Sequence, residues 1–295
     1  MIPTKVGFAG LGRMGAPMAA RIAQHGFPLT VWNRTAGRAE PLASQGARLA
    51  GSLCELAAGS NVIITMLSDG AAALSVWAGP GGLLEACAPG TIGIDMSTTG
   101  PQAARDIASR ADRAGVRFLD APVSGSVALA EQGKLTTMAG GDPAALAKAL
   151  PVLQAITSRQ LHLGPPGAGA AMKLAVNIMI AASNQAVAEA LALATAAGID
   201  PRDAYEAFTA SAVSSPFLRY KREAYLAADE APVSFTTALM AKDLRLALDL
   251  AAAEALALAL TATAKESLDQ ACAAGFGDAD FACVARLLRP GPPPG

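Results

Sequence analysis

In GAGAAMKLAVN, residues 167–177, Lys173 and Asn177 stand four residues apart, the spacing that places two side chains on one face of a helix. Asn184, eleven residues beyond Lys173, returns to nearly the same face. A polar stripe thus runs along an otherwise apolar segment. Burying an ammonium there would lower its pKa toward the range of a working proton donor. Lys173 is therefore a candidate general acid for an alkoxide formed by hydride transfer, with Asn177 holding it or the substrate oxygen in place. The same spacing also suits a lysine that lays its stem on the apolar face and carries its charge to water.

Two further stretches carry polar groups in a constrained setting. FLDAPVSGS, residues 118–126, ends in Ser124, Gly125 and Ser126, small residues whose hydroxyls and amides can form a nest for a substrate carboxylate. Serine and glycine equally make a tight loop that closes a strand. FTTALMAKD, residues 235–243, holds Phe235, Lys242 and Asp243 near the start of a helical run.

Near the N-terminus, Gly10, Gly12 and Gly15 form G-x-G-x-x-G between a short apolar run and an alanine-rich segment. Following a strand and opening a helix, such a triplet gives a tight turn, a backbone that a pyrophosphate can approach, and close helix packing. Leu11, Arg13 and Met14 fill the loop. The acid that accepts from the ribose hydroxyls of NAD is missing from the end of the second strand, where Asn33, Arg34 and Thr35 stand instead. A guanidinium with small polar neighbours suits a 2′-phosphate, so NADP(H) is the expected cofactor, with NAD(H) as the alternative. Arg38 is a second anion partner in the same loop, and Arg34 read plainly is a solvated loop charge.

The elements that must hold these groups fall into two textures. Strand-like runs occur at residues 5–9, 29–32, 62–66, 91–95, 117–120, 135–139 and 160–163, separated by alanine-rich helical stretches such as 16–25, 101–114 and 143–150. This alternation predicts an α/β domain, a Rossmann-type doubly wound and mostly parallel sheet, over residues 1–163. Beyond GPPGAG, residues 164–169, the strand-like runs cease, so an all-helical domain is expected over 164–289. The Pro- and Gly-rich residues 290–295 are expected to be disordered.

Composition excludes several classes. The 295 residues carry 23 basic and 24 acidic side chains, a net charge of -1 with no run of one sign, so neither nucleic acid nor an anionic membrane surface is an expected partner. Four scattered cysteines and two histidines argue against a metal site and a disulfide framework and fit a reducing cytoplasm. Residues 174–197 and 247–264 are long apolar stretches broken by polar residues, and they read as buried helices rather than membrane spans. The apolar faces of the segment starting near Gly167 predict packing against a second subunit, in a homodimer or homotetramer.

Five ordered motifs carry a resemblance: GFAGLGRMG at residues 7–15, DMST at 95–98, DAPVSGS at 120–126, GAAMKLAVN at 169–177 and KDLRLAL at 242–248. Together they resemble the β-hydroxyacid dehydrogenases, which include 3-hydroxyisobutyrate dehydrogenase, tartronate semialdehyde reductase and the glyoxylate/succinic semialdehyde reductases. The similarity spans residues 4–288. It implies that Lys173 is the catalytic lysine, that Asn177 orients the substrate, and that Ser124 and Gly125 bind it. It also implies that Thr98 lines the nicotinamide pocket, with Met66, Leu67 and Ser68 among the cofactor contacts, and that Lys242 and Asp243 lie where the C-terminal domain closes over both ligands. Ser126 stands where many members have glycine; with VWNRT and MKLAVN it looks closer to the glyoxylate/succinic semialdehyde reductase branch, which favours NADPH.

The resulting expectation is a reductase of a small carboxylate-bearing aldehyde, or a dehydrogenase of the matching hydroxyacid. An imine reductase shares the fold but lacks the lysine, and a dinucleotide-binding module without activity would not need Lys173 and Asn177 in register. Short-chain dehydrogenase chemistry does not fit, because none of Tyr205, Tyr220 or Tyr225 is followed four residues on by lysine.

Overall fold

The computed structural model describes residues 4–228 and 230–288, so residues 290–295, for which disorder was expected, lie outside the described residues. The chain divides into two compact units, residues 1–173 and 174–295.

The first unit is built on a sheet of nine strands: β1 Val6–Ala9, β2 Leu29–Trp32, β3 Arg48–Leu49, β4 Val62–Thr65, β5 Ile92–Asp95, β6 Arg117–Asp120, β7 Val123–Ser124, β8 Leu135–Gly141 and β9 Thr157–Gly164. Strands β3, β2, β1, β4, β5 and β6 lie side by side in that order, all parallel. Then β8 runs antiparallel to β6 and β7, while β9 pairs parallel to β8 on its other side. The helices are α1 Gly15–Gln24, α2 Glu40–Ala43, α3 Leu53–Ala58, α4 Gly70–Ala78, α5 Pro101–Arg113, α6 Val127–Glu131 and α7 Pro143–Leu153.

Apolar side chains alternate along the strands and so feed both faces of the sheet. On one face Val6, Phe8, Val31, Ile64 and Ile94 pack with Met18 and Ile22 of α1 and Ala149 and Val152 of α7. On the other, Ala9, Ile63 and Phe118 pack with Leu56, Trp77 and Ile107 of α3, α4 and α5. Trp77 and Phe118 meet edge to face, ring centroids 5.3 Å apart. The doubly wound α/β architecture read from the sequence is thus present, with two additions: β3 and β7, of two residues each, are too short to show a period, and the polar start of β9 hides its first three residues.

The second unit is helical. It contains most of α8 Ala168–Ala196, then α9 Pro201–Ala210, α10 Pro216–Leu226, α11 Thr237–Ala253, α12 Ala259–Ala271 and α13 Val284–Leu287. Residues 201–235 form α9, α10 and an irregular lead into α11, because Ser215 caps a new start ahead of Pro216. One cluster joins Ala181, Ala188, Met240, Leu244, Leu268 and Phe281. A second joins Val187, Leu191, Tyr205, Leu218 and Tyr225.

By length and composition α8 is long and apolar enough to cross a membrane, a test that a core helix also passes. Its buried amides nevertheless bond to helical neighbours: Tyr225 Oη donates to Asn184 Oδ1 at 2.6 Å, and Asn184 Nδ2 donates to the Phe281 carbonyl at 3.1 Å. The helix is also less buried than expected, with Met172, Met179 and Leu193 exposed.

Candidate active site

The strand order reverses between β1 and β4, and in an open parallel sheet the crevice beyond the carboxyl ends at that point takes a ligand. The loop leaving β1 there has the shape its glycines allow. Gly10 has φ of +99°, and a Cβ on it would lie 2.3 Å from the Met66 carbonyl oxygen. A Cβ on Gly15 would lie 1.9 Å from the Gly10 oxygen. Gly12 is different: its missing Cβ would meet nothing within 4 Å. Two glycines fold the turn and the third leaves backbone open at the N-terminus of α1, a cradle that fits a dinucleotide pyrophosphate.

The loop is tied to β2. Leu11 N donates to Asn33 Oδ1 at 2.9 Å, and Asn33 Nδ2 donates to the Thr35 carbonyl at 2.9 Å. Asn33 therefore fastens the glycine loop instead of presenting its amide outward. Arg34, Thr35 and Arg38 are exposed at the end of β2, as is Arg13 on the glycine loop, while Leu11 is buried and Met14 half-buried.

After β4, Met66 and Leu67 are half-buried and Ser68 is exposed. A network missed in the sequence holds them. Leu67 N donates to Ser97 Oγ at 2.8 Å, and Ser97 Oγ and Thr65 Oγ1 each donate to Asp95 Oδ1 at 2.7 Å. Trp77 Nε1 donates to Thr65 Oγ1 at 2.9 Å. Burial pushes the Asp95 carboxyl up to about 6, against the opposing effect of these hydrogen bonds. Thr98, half-buried, follows directly. The signal was present in DMST, but only Thr98 was singled out there.

Asp120, at the end of β6, is 1% exposed and anchors the start of α8. Its Oδ1 accepts from Gly167 N and its Oδ2 from Ala170 N, both at 2.8 Å. Burial pushes this carboxyl upward too, opposed by the amides it accepts from. The backbones meet with no room for side chains: a Cβ on Gly169 would lie 2.2 Å from the Met138 oxygen, and one on Gly140 would lie 2.6 Å from Asp120 Oδ1. Lys173, half-buried, is one turn past Ala170.

Four residues beyond Asp120, Ser124 pairs with Thr136 in the β7–β8 ladder. Gly125 has φ of +142°, and a Cβ on it would lie 2.7 Å from Leu135 Cδ2. Ser126 caps α6, its Oγ accepting from Leu129 N at 3.4 Å. Both sequence readings of this turn have a counterpart in its geometry: it closes a strand, and it leaves the half-buried Ser124 hydroxyl beside a glycine bend.

In the helical unit Asn177, 2% exposed and four residues past Lys173 on α8, donates from Nδ2 to Asp243 Oδ2 at 2.6 Å. Lys242 Nζ lies 2.9 Å from Asp243 Oδ1. Thr236 caps α11, and Phe235, just before it, is half-buried with its ring edge to face against Phe281. Asn184 shares the expected face, but its amide serves the packing of α8 against Tyr225 and Phe281.

Residues 5–164 match the model for the NAD binding domain of 6-phosphogluconate dehydrogenase, and residues 167–288 match that for the NAD-binding of NADP-dependent 3-hydroxyisobutyrate dehydrogenase. Glyoxylate/succinic semialdehyde reductase 1 of Arabidopsis thaliana is 35% identical over 285 residues, covering 97% of this chain and 98% of its own. An NAD-dependent L-serine dehydrogenase of Pseudomonas aeruginosa is also 35% identical, over 292 residues, with the same two coverages. The solved structure of Mycobacterium tuberculosis 3-hydroxyisobutyrate dehydrogenase with L-serine superposes with a TM-score of 0.88 at 32% identity, covering 98% of this chain and 100% of that one. With its parallel sheet, glycine cradle and helical second unit, the chain belongs to the β-hydroxyacid dehydrogenases, NAD(P)-dependent oxidoreductases that interconvert a hydroxyl and a carbonyl group.

Proposed function

We propose that the chain reduces a small aldehyde acid of the glyoxylate or succinic semialdehyde type with NADPH, using Lys173 as proton donor. The observation that carries this reading is the start of α8. One buried carboxylate, Asp120, fixes the turn before Lys173 and lies four residues from Ser124, so a single anchor sets both the proposed acid and the proposed carboxylate site.

Gly10, Leu11, Gly12, Arg13, Met14 and Gly15 hold the pyrophosphate, Arg34 and Thr35 the 2′-phosphate, and Met66 to Ser68, Thr98 and Lys242 the remainder of the dinucleotide; Asn33 shapes the loop. When bound, the nicotinamide supplies the hydride. Ser124, Gly125 and Ser126 hold the substrate carboxylate, and Phe235 shapes its pocket. As negative charge grows on the carbonyl oxygen, Lys173 Nζ stabilises it and hands over a proton. Asn177, itself fixed by Asp243, orients the ammonium and the oxygen.

A second reading is favoured by the two relatives whose names carry L-serine: oxidation of a 3-hydroxy acid with NAD. In that direction Lys173, deprotonated, takes up the hydroxyl proton. Assays of glyoxylate, succinic semialdehyde and tartronate semialdehyde with each reduced cofactor, and of L-serine and 3-hydroxyisobutyrate with each oxidised one, separate the two readings by the highest kcat/KM. We propose further that the enzyme is cytoplasmic and acts as a homodimer or homotetramer. Exposed Met172, Met179 and Leu193, spaced by multiples of seven along α8, support the assembly, which light scattering coupled to size exclusion tests.

A further inference from the structure

Among the described residues of the helical unit, the most deeply buried charge pair has no part in the proposed chemistry. Lys221 of α10 is 1% exposed, and its Nζ donates to Asp280 Oδ1 at 2.5 Å and to Ser234 Oγ at 2.7 Å. It also stands 3.9 Å from the centroid of the Phe281 ring. Asp280 is saturated in turn. Its Oδ2 accepts from Ser234 N and Ser234 Oγ at 2.9 Å and from Phe235 N at 3.4 Å, and its Oδ1 accepts from Ala282 N at 3.0 Å. The Phe235 carbonyl accepts from Phe281 N at 3.1 Å, and the Thr237 and Ala238 amides donate to Ala279 and Gly277.

Burial disfavours both charges and pulls the Lys221 ammonium below its usual range; burial also acts to raise Asp280, but the adjacent ammonium and the donated hydrogen bonds hold it below. A buried ion pair is a poor source of stability, since an apolar pair of the same volume often does as well. What it supplies is a fixed geometry, and most of the hydrogen bonds made here end on the segment that carries Phe235.

We infer that Lys221 and Asp280 are positioning residues for the substrate pocket: they lock the lead-in to α11 and so set where Phe235 stands. The inference rests on the reading of Phe235 as a substrate contact. Neither residue touches the reacting atoms; their effect passes through Ser234 and the backbone of Phe235. Loss of the pair should therefore loosen residues 233–238 and weaken substrate binding, while the glycine cradle at the N-terminus of α1, built in the other unit, stays as it was.

The test compares the intact protein with Asp280→Asn and with the double variant Lys221→Met/Asp280→Asn, which removes both charges at once and avoids a lone buried ion. Hydrogen exchange of the peptide covering residues 233–238, KM and kcat for succinic semialdehyde, and the NADPH Kd from fluorescence titration are measured on each. The expected result for the double variant is faster exchange confined to that peptide, a KM raised by about ten- to a hundredfold, and an unchanged Kd. Unchanged exchange overturns the inference, as does faster exchange with an unchanged KM, or loss of NADPH binding in step with activity. Failure of the functional reading itself is seen separately, in an unmodified protein that turns over none of the aldehyde acids.

Discussion

Asn177 Nδ2 donates to Asp243 Oδ2 over 2.6 Å, with both side chains almost wholly removed from water. The amide one turn beyond Lys173 is thereby held by a carboxylate from α11, which also faces the ammonium of Lys242 at 2.9 Å. A hydrogen bond to a buried charge contributes about 1.5 to 3 kcal/mol. Asp243→Ala should therefore lower kcat/KM by roughly 10 to 150-fold, whereas Asp243→Asn, which keeps an acceptor, should recover part of the loss. Steady-state kinetics on the two variants decide it, and equal activity in all three proteins removes Asp243 from the site.

Lys173→Ala should lower kcat by about 10² to 10⁴-fold while NADPH still binds, since a missing proton donor is felt in the transition state. Fluorescence titration of the cofactor alongside turnover separates the two effects. A variant with most of its turnover intact moves the acid role to another group.

Arg34 stands exposed at the end of β2 with no acid beside it. A charge-assisted contact to the 2′-phosphate is worth about 1.5 to 3 kcal/mol, so kcat/KM should favour NADPH over NADH by roughly 10 to 150-fold. Arg34→Ala should close most of that gap. Equal use of both cofactors by the unmodified protein refutes the assignment.

Butyraldehyde shares the carbon count and reacting group of succinic semialdehyde but lacks its carboxylate. Donors around Ser124 and Gly125 would then go unpaired, at about 1 to 3 kcal/mol each, making butyraldehyde the much poorer substrate. Ser124→Ala should narrow the difference by harming the acid alone. Similar kcat/KM for the two aldehydes in the unmodified protein sinks the carboxylate role.

Asp95 gives a pH prediction. Its folded pKa of about 6 lies above the ordinary 3.8, so between these values the folded chain binds more protons than the unfolded one. Stability therefore falls as pH rises through that window, by roughly 3 kcal/mol for a shift of about two units. Asp95→Asn removes this contribution, so the melting temperature of the variant relative to the unmodified protein should climb from pH 4 to pH 7. Parallel pH profiles would assign the burial cost elsewhere.

What could be read from the chain in advance was whatever is local. Gly10, Gly12 and Gly15 declare their turn because the three glycines fall within six residues between a strand-like and a helical run, and Lys173 and Asn177 declare a shared face because helical period is a local property. Asp120 lay within a motif already singled out, yet its partners are 47 and 50 residues away and are backbone amides, which carry no side-chain signature. Lys221 and Asp280 are 59 residues apart, and in PFLRYKREAYL the lysine is hidden among other charged residues, Arg219, Arg222 and Glu223. Asn184 was placed on the correct face, but only Tyr225, 41 residues on, shows that its amide belongs to the core.

The contact between Gly140, Gly169 and Asp120 leaves no slack in the chain. Pro165, Pro166 and Gly167 join β9 to a helix whose first turn is fastened to the sheet by the Asp120 carboxylate and by close backbone packing, and each residue added to that join would rotate Lys173 by about 100° and advance it about 1.5 Å. Connections elsewhere on such a fold absorb insertions freely. Here the spacing is itself part of the chemistry. Over evolutionary time this short link should therefore keep its length even where its sequence drifts, and a grafted helix would inherit a competent lysine only if it arrives with the same count of residues after β9.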